Sequence, residues 1–110
     1  MKVHRNYWPW GECVTFILYG GAAIFRLSFT KEQPNIAYLS DVSVVERERR
    51  KGYGRKMLNK AIENARKRKC ESVRLIAYPG DFVVDWYKRN GFVESGAMFI
   101  DGGIELEKKL

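Results

Sequence analysis

Between residues 45 and 53 the apolar residues of this chain change their spacing. Before that point they alternate. In AAIFRLSFT (22–30), Phe25, Leu27 and Phe29 share one face, and Arg26, Ser28 and Thr30 the other. A period of two belongs to a strand with one buried side. Over 53–69 the spacing becomes helical: Met57, Leu58, Ala61, Ile62 and Ala65 form one stripe, and Lys56, Lys60, Asn64 and Arg68 take the outer face. A short apolar strand, SVRLIAY (72–78), follows. A chain that runs from strand through helix to strand makes a crossover, and so builds a parallel or mixed segment of sheet.

The remaining segments fit round that unit. ECVTFILY (12–19) is a β-branched and aromatic strand, and Gly20-Gly21 offers a hairpin turn into 22–30. KEQPN (31–35) is a second turn, and IAYLSDVSVV (36–45) is apolar enough for a central strand covered on both faces. PGDFVVDWYKRNG (79–91) has helix boundaries, with Pro79 and Asp81 in front and Asn90-Gly91 behind. The tail reads as two strands around Asp101-Gly102-Gly103, with Ile104, Leu106, Lys108 and Leu110 on one face of the last. The expectation is one α/β (α+β) domain over 1–110: a mixed, mostly antiparallel sheet of about six strands with two helices. With 45% hydrophobic and 30% charged residues, disorder and fibrous repeats are excluded.

The net charge of +7 is regional, since 11 of the 20 basic residues lie between Arg47 and Lys69. Such a field suits a phosphate-bearing partner. Cys13 and Cys70 form no C-x-x-C pair, so no disulfide framework and no metal site is implied, and reduced thiols suit the cytoplasm. No apolar run has the length of a signal peptide or membrane span, which points the same way.

RRKGYGRK (49–56) occupies the strand-to-helix junction, with six basic residues among the ten from Arg47 to Lys56. Successive backbone N–H groups in such a turn converge on an anion, and the helix start adds donors and partial positive charge. Glycine at 52 and 54 permits positive φ and removes side chains that would hold a phosphate away; Arg49, Arg50, Lys51 and Arg55 surround it with charge. The bland alternative is a solvated basic turn capping a helix. A Walker loop is absent, and the dinucleotide fingerprint fails because Met57 stands where a third glycine belongs.

Arg49-Arg50-Lys51-Gly52-Tyr53-Gly54 does match R-x-x-G-x-G, and DWYKRNGF (85–92) matches an aromatic pair followed by polar residues and Gly-Phe. Together they resemble the pyrophosphate loop and C-terminal signature of the GNAT superfamily of N-acetyltransferases, a resemblance covering about residues 12–110. It implies an acetyltransferase using acetyl-CoA as co-substrate and a primary amine as acceptor, by direct attack. Val42 and Val44 would offer main-chain groups to the pantetheine arm and the thioester carbonyl. Tyr87 would protonate the leaving thiolate, as a phenol with an ordinary pKa of about 10 suits that task; otherwise it is a core aromatic beside Trp86. Asp41, on the face of Leu39 and Ser43, would take the amine's proton or else serve as a hydrogen-bonded structural carboxylate. Glu46 is a weaker candidate. His4, the only histidine, falls in a terminus expected to be mobile and has no catalytic role.

This sequence departs from the family pattern in two ways. Family members usually begin with a strand and two helices that help wall the acceptor site, and here the first convincing strand begins by residue 12. The asparagine that often contacts pantetheine falls near Gly80. NYWPW (6–10) is a substitute wall, a self-association patch or core filling. The short wall points to a bulky or macromolecular acceptor, or to a site completed in a homodimer. Two rivals stand beside the enzyme: a CoA-binding regulatory module without turnover, and a basic nucleic-acid-binding module, ranked last because it leaves the paired glycines unexplained.

Overall fold

The alternating segments and the helical stripe assemble into a two-layer α+β structure, seen in a computed structural model that describes residues 1–44, 52–80 and 82–110. The strands are β1 (Lys2–Trp8), β2 (Gly11–Leu18), β3 (Ala23–Thr30), β4 (Ile36–Val44), β5 (Ser72–Ala77), β6 (Val93–Met98) and β7 (Ile104–Lys109). The helices are α1 (Tyr53–Lys67), between β4 and β5, and α2 (Phe82–Arg89), between β5 and β6. One sheet holds all seven strands in the order β1-β2-β3-β4-β5-β7-β6. Pairing is antiparallel except between β4 and β5, the parallel pair expected from the crossover.

Cross-strand pairs set the core. Val14 faces Leu27, Phe16 faces Phe25, Leu27 faces Leu39, and Leu75 faces Leu106, all buried on one side of the sheet. The Phe16 and Phe25 rings stack at 4.6 Å. Met57, Leu58, Ala61, Ile62 and Ala65 of α1, with Val84 and Tyr87 of α2, join the same cluster. Each large apolar side chain so buried contributes about 1.5–3 kcal/mol. Among the described residues no helix covers the other face. It carries Cys13, Thr15, Arg26, Ser28, Arg74, Glu105 and Glu107, which bond to one another: Cys13 with Ser28 at 3.1 Å, Arg26 to Thr15 at 3.2 Å and Arg74 to Glu107 at 2.6 Å. The expectation that β4 is covered on both faces is therefore corrected. The strand is central, but its second face meets solvent beside a polar ladder.

The terminus holding His4 belongs to the sheet. Lys2–Trp8 is an edge strand, and His4 pairs with Thr15 across it. Its residues are all exposed, so no buried face imposed a period on them. It raises the strand count from about six to seven. Pro9 and Trp10 turn directly into β2, and Trp8 and Trp10 stack at 6.4 Å. Gly11 is required at this turn because a Cβ there would overlap the Phe29 carbonyl oxygen. Among the described residues no helix is long and apolar enough to cross a membrane, and no group of three or more His, Cys, Asp or Glu side chains could hold a metal.

Candidate acyl-CoA site

β4 and β5 pair only over Ile36–Tyr38 and Ser72–Arg74. Beyond Tyr38 the strands separate, and β4 bends. Its register with β3 moves from Arg26↔Ser40 to Ile24↔Ser43, so Asp41 and Val42 stand opposite Phe25 alone. Asp41 has φ of 51°, a left-handed conformation that costs an ordinary residue about 1 kcal/mol or more. Burial along β4 ends at the same place: Leu39 is buried and residues 40–43 are exposed.

The separation opens a cleft of ≈ 390 Å³. Val42, Ser43 and Val44 form one wall, Val83, Trp86 and Tyr87 of α2 the other, and Gly52, Gly54, Arg55 and Met57 the floor. Ligands of open α/β sheets bind at such a place, outside the carboxyl ends of diverging parallel strands. Another hollow, of ≈ 530 Å³ on the outside of α1, is lined among the described residues by Asn59, Ile62, Glu63, Arg66, Lys67 and Lys108, none of them from 49–56 or 85–92.

The start of α1 is built to face an anion. Gly52 is the N-cap in the left-handed conformation, φ 75°, with open space where a Cβ would be. It offers no side-chain cap, and the first turn has no acidic residue. The first helical bond runs from Lys56 N–H to the Gly52 carbonyl at 3.1 Å, so the N–H groups of 53–55 precede the helical ladder. Gly54 departs from expectation. It is helical rather than positive in φ, and its missing side chain keeps the floor open beside Trp86, whose ring would lie 3.6 Å from a Cβ.

Tyr87 is 7% exposed, packed edge-on against Trp86 at 5.0 Å and Phe92 at 5.3 Å. Burial pushes its phenol up to about 12, and among the described residues nothing hydrogen-bonds its hydroxyl. α2 ends just below it: Phe92 N–H donates to the Tyr87 carbonyl and Gly91 N–H to that of Lys88, a Schellman cap with Gly91 at φ 94°. This cap is why Asn90-Gly91-Phe92 follows the aromatic pair.

Of the expected residues, the cleft gathers Val42, Val44, Gly52, Gly54, Arg55 and Tyr87. Tyr53 points elsewhere, its ring stacked on Tyr19 at 4.3 Å and under Lys56. Asp41 is not in the wall. The bulge breaks the alternation with Leu39 and Ser43, and its carboxylate lies 2.7 Å from Arg26, on the open face. Gly80 stands where the asparagine was sought, at φ 98° with nothing around a Cβ position. Arg49, Arg50, Lys51 and Glu46 lie outside the described residues. Ser43, Met57, Val83 and Trp86 were missed. Trp86 could have been read from its place beside Tyr87, but Ser43 joins Val42 and Val44 only through the bulge.

The family model described as "Acetyltransferase (GNAT) family" matches residues 3–92. The chain belongs to the GNAT acetyltransferase family. Among solved structures it is similar to nourseothricin acetyltransferase, at 20% identity and a TM-score of 0.73 over 92% of this chain and 66% of that one. It thus spans about two thirds of that protein's length. A Bacillus subtilis acetyltransferase in complex with CoA matches at 21% identity and a TM-score of 0.71, over 91% of this chain and 77% of its own. IAA acetyltransferase from Bacillus cereus matches at 17% identity and a TM-score of 0.72 over 99% of both chains. The fold therefore occurs in a chain of this span. A comparison with curated proteins finds no match.

Proposed function

We propose that this GNAT chain transfers an acetyl group from acetyl-CoA to a primary amine by direct attack, in the cytoplasm. The observation that carries the reading is the cleft itself, where strand edge, uncapped helix start and buried phenol meet in one hollow. A similar B. subtilis acetyltransferase was solved with CoA, which supports the choice of coenzyme. The thioester supplies an activated acetyl group. The backbone of Val42–Val44 lies along the pantetheine arm as an added strand would, and its donors stabilise the oxyanion. The α1 start, with Gly52, Gly54 and Arg55, receives the pyrophosphate. Arg49, Arg50 and Lys51 directly precede Gly52 in the sequence.

Tyr87 serves the leaving sulfur as a hydrogen-bond donor. A phenol near 12 is a weaker acid than a thiol near 8.5, so full proton transfer to the thiolate is uphill unless another proton replaces it. The amine arrives over the open face and loses its proton through water, with Asp41 the carboxylate on that side of the bulge. Most of the acceleration comes from holding both reactants in register.

Calorimetric titration with acetyl-CoA tests the reading. Micromolar-range binding is expected, and Gly52→Val should abolish it, since valine is strained at a φ of 75° at a position that lines the cleft. An amine panel then separates enzyme from regulatory module. Turnover lowered in Asp41→Asn, with coenzyme binding unchanged, supports the proton route. Binding without acetyl transfer to any amine would favour the module, a reading to which the engagement of Asp41 with Arg26 lends weight. No binding by the folded protein would sink both.

A further inference from the structure

The aromatic run NYWPW lines no part of the cleft, and it is not core filling: Tyr7 is 72% exposed, Trp8 49% and Trp10 48%. It forms the tip of the β1–β2 hairpin. The Trp8 and Trp10 rings lie nearly parallel there, at 11° and 6.4 Å, and Gly11 packs the turn against the Phe29 carbonyl. Cations gather round the same tip. Lys31 N–H donates to the Trp10 carbonyl at 2.8 Å. Tyr7 stands across from Glu12, which is ion-paired to Arg68. That pair brings the basic end of α1, residues 66–69, beside the hairpin, and Lys67 and Arg68 share a hollow of ≈ 200 Å³ with Arg5 of β1. Glu12 is taken by Arg68 and Glu63 by Lys67 at 3.4 Å, while Glu32 stands next to Lys31 in the chain. Arg5, Lys31, Arg66 and Lys69 have no ion-pair partner among the described residues.

Each group has a modest local use: a stacked pair steadies a hairpin, and cations at a helix end match its dipole. Those uses leave Tyr7 and half of each indole in water, and they do not account for aromatic and basic groups meeting at one end of the molecule. An aromatic face alone suits a cation, but here the surrounding charge repels one. Open rings beside unpaired cations suit a ligand with flat aromatic faces on an anionic backbone. We propose that the β1–β2 tip and the end of α1 form a binding site for single-stranded nucleic acid. Bases stack on Trp8 and Trp10, while Arg5, Lys31 and the α1 end meet the phosphates. The site is separate from the acyl-CoA cleft and does not depend on that reading. The cleft lies at the start of α1, and a helix of 15 residues sets its other end about 20 Å away. A duplex fits less well, because its bases already stack on one another. A membrane fits less well too, since from Tyr7 to Gly11 the tip has no aliphatic side chain except Pro9 to bury among lipid chains.

The test is fluorescence anisotropy of a labelled oligouridylate and a labelled oligothymidylate, each of about 12 nucleotides, within the span such sites cover. They are titrated with the full chain, Trp8→Ala, Trp10→Ala and Arg5→Gln over a range of salt. The unaltered protein should bind a single strand more tightly than a duplex of the same length, and lose affinity steeply as salt rises. Whichever strand binds more tightly identifies the source as RNA or DNA. Each tryptophan variant should bind about tenfold more weakly, the size of one base stacked on a ring, with thermal melting to show that it is folded. Arg5→Gln should lower the salt slope by about one. No binding of either strand at low salt overturns the inference, as does full affinity in both folded tryptophan variants. Displacement of the strand by acetyl-CoA overturns it as well, by placing the strand in the cleft. Capture by vesicles of anionic phospholipid that Trp10→Ala abolishes, with neither strand bound, reassigns the surface to a membrane.

Discussion

Tyr87 lies in the wall of the cleft with its ring enclosed by Trp86 and Phe92, and burial raises its phenol to about 12. In the unfolded chain the same group titrates near 10. Up to about pH 10 both states hold the proton, and Tyr87 adds no pH dependence. From about 10 to 12 the unfolded chain releases it first, so stability falls as pH rises, by about 2–3 kcal/mol in all. Tyr87→Phe should flatten that part of the profile, seen in urea unfolding at pH 9 and pH 11. The same variant should lower kcat by about a hundredfold with acetyl-CoA affinity little changed, and wild-type kcat should show no Tyr87-linked fall below about pH 10. Tyr87 was legible from the aromatic pair before Gly-Phe, because α2 and its cap are local structure. Asp41 was not, since its direction depends on a φ of 51° that no neighbouring residue announces.

At the scale of elements, α1 was readable because all five stripe residues pack on one sheet face, which forces the helical period. β1 was opaque for the opposite reason, as an edge strand with no buried side. The start of α1 shows how stability and binding can be set against each other. Gly54 is helical, and a Cβ there meets Trp86 at an ordinary 3.6 Å. Gly54→Ala should therefore stabilise the fold by about 0.5 kcal/mol, since alanine loses less backbone freedom in a helix. The added methyl would stand in the cleft floor, so acetyl-CoA affinity should fall. Thermal melting and titration of one variant read both effects. A loss of stability together with unchanged affinity would refute the place given to this glycine.

Among the described residues the molecule is a sheet with helices on one side only, and the two faces should answer differently to substitution. Leu27→Ala empties a fully buried position facing Val14 and Leu39 and should cost about 2–5 kcal/mol in urea unfolding. Ser40→Ala, exposed one residue beyond buried Leu39, should change stability by less than about 0.5 kcal/mol. Which side stayed bare was not legible, because Thr15, Arg26 and Ser28 satisfy the same alternation under water or under a polar-faced helix. The turn at Pro9 and Trp10 gives that bareness a practical meaning. β1 and β2 meet there at a two-residue hairpin. Closing a longer loop costs little more than closing a short one, so the turn is a splice point. With Gly11 retained against Phe29, a helical pair grafted at that point would roof the open face. The choice of acceptor would then become a property of a detachable module, while the coenzyme half of the molecule stayed as it is.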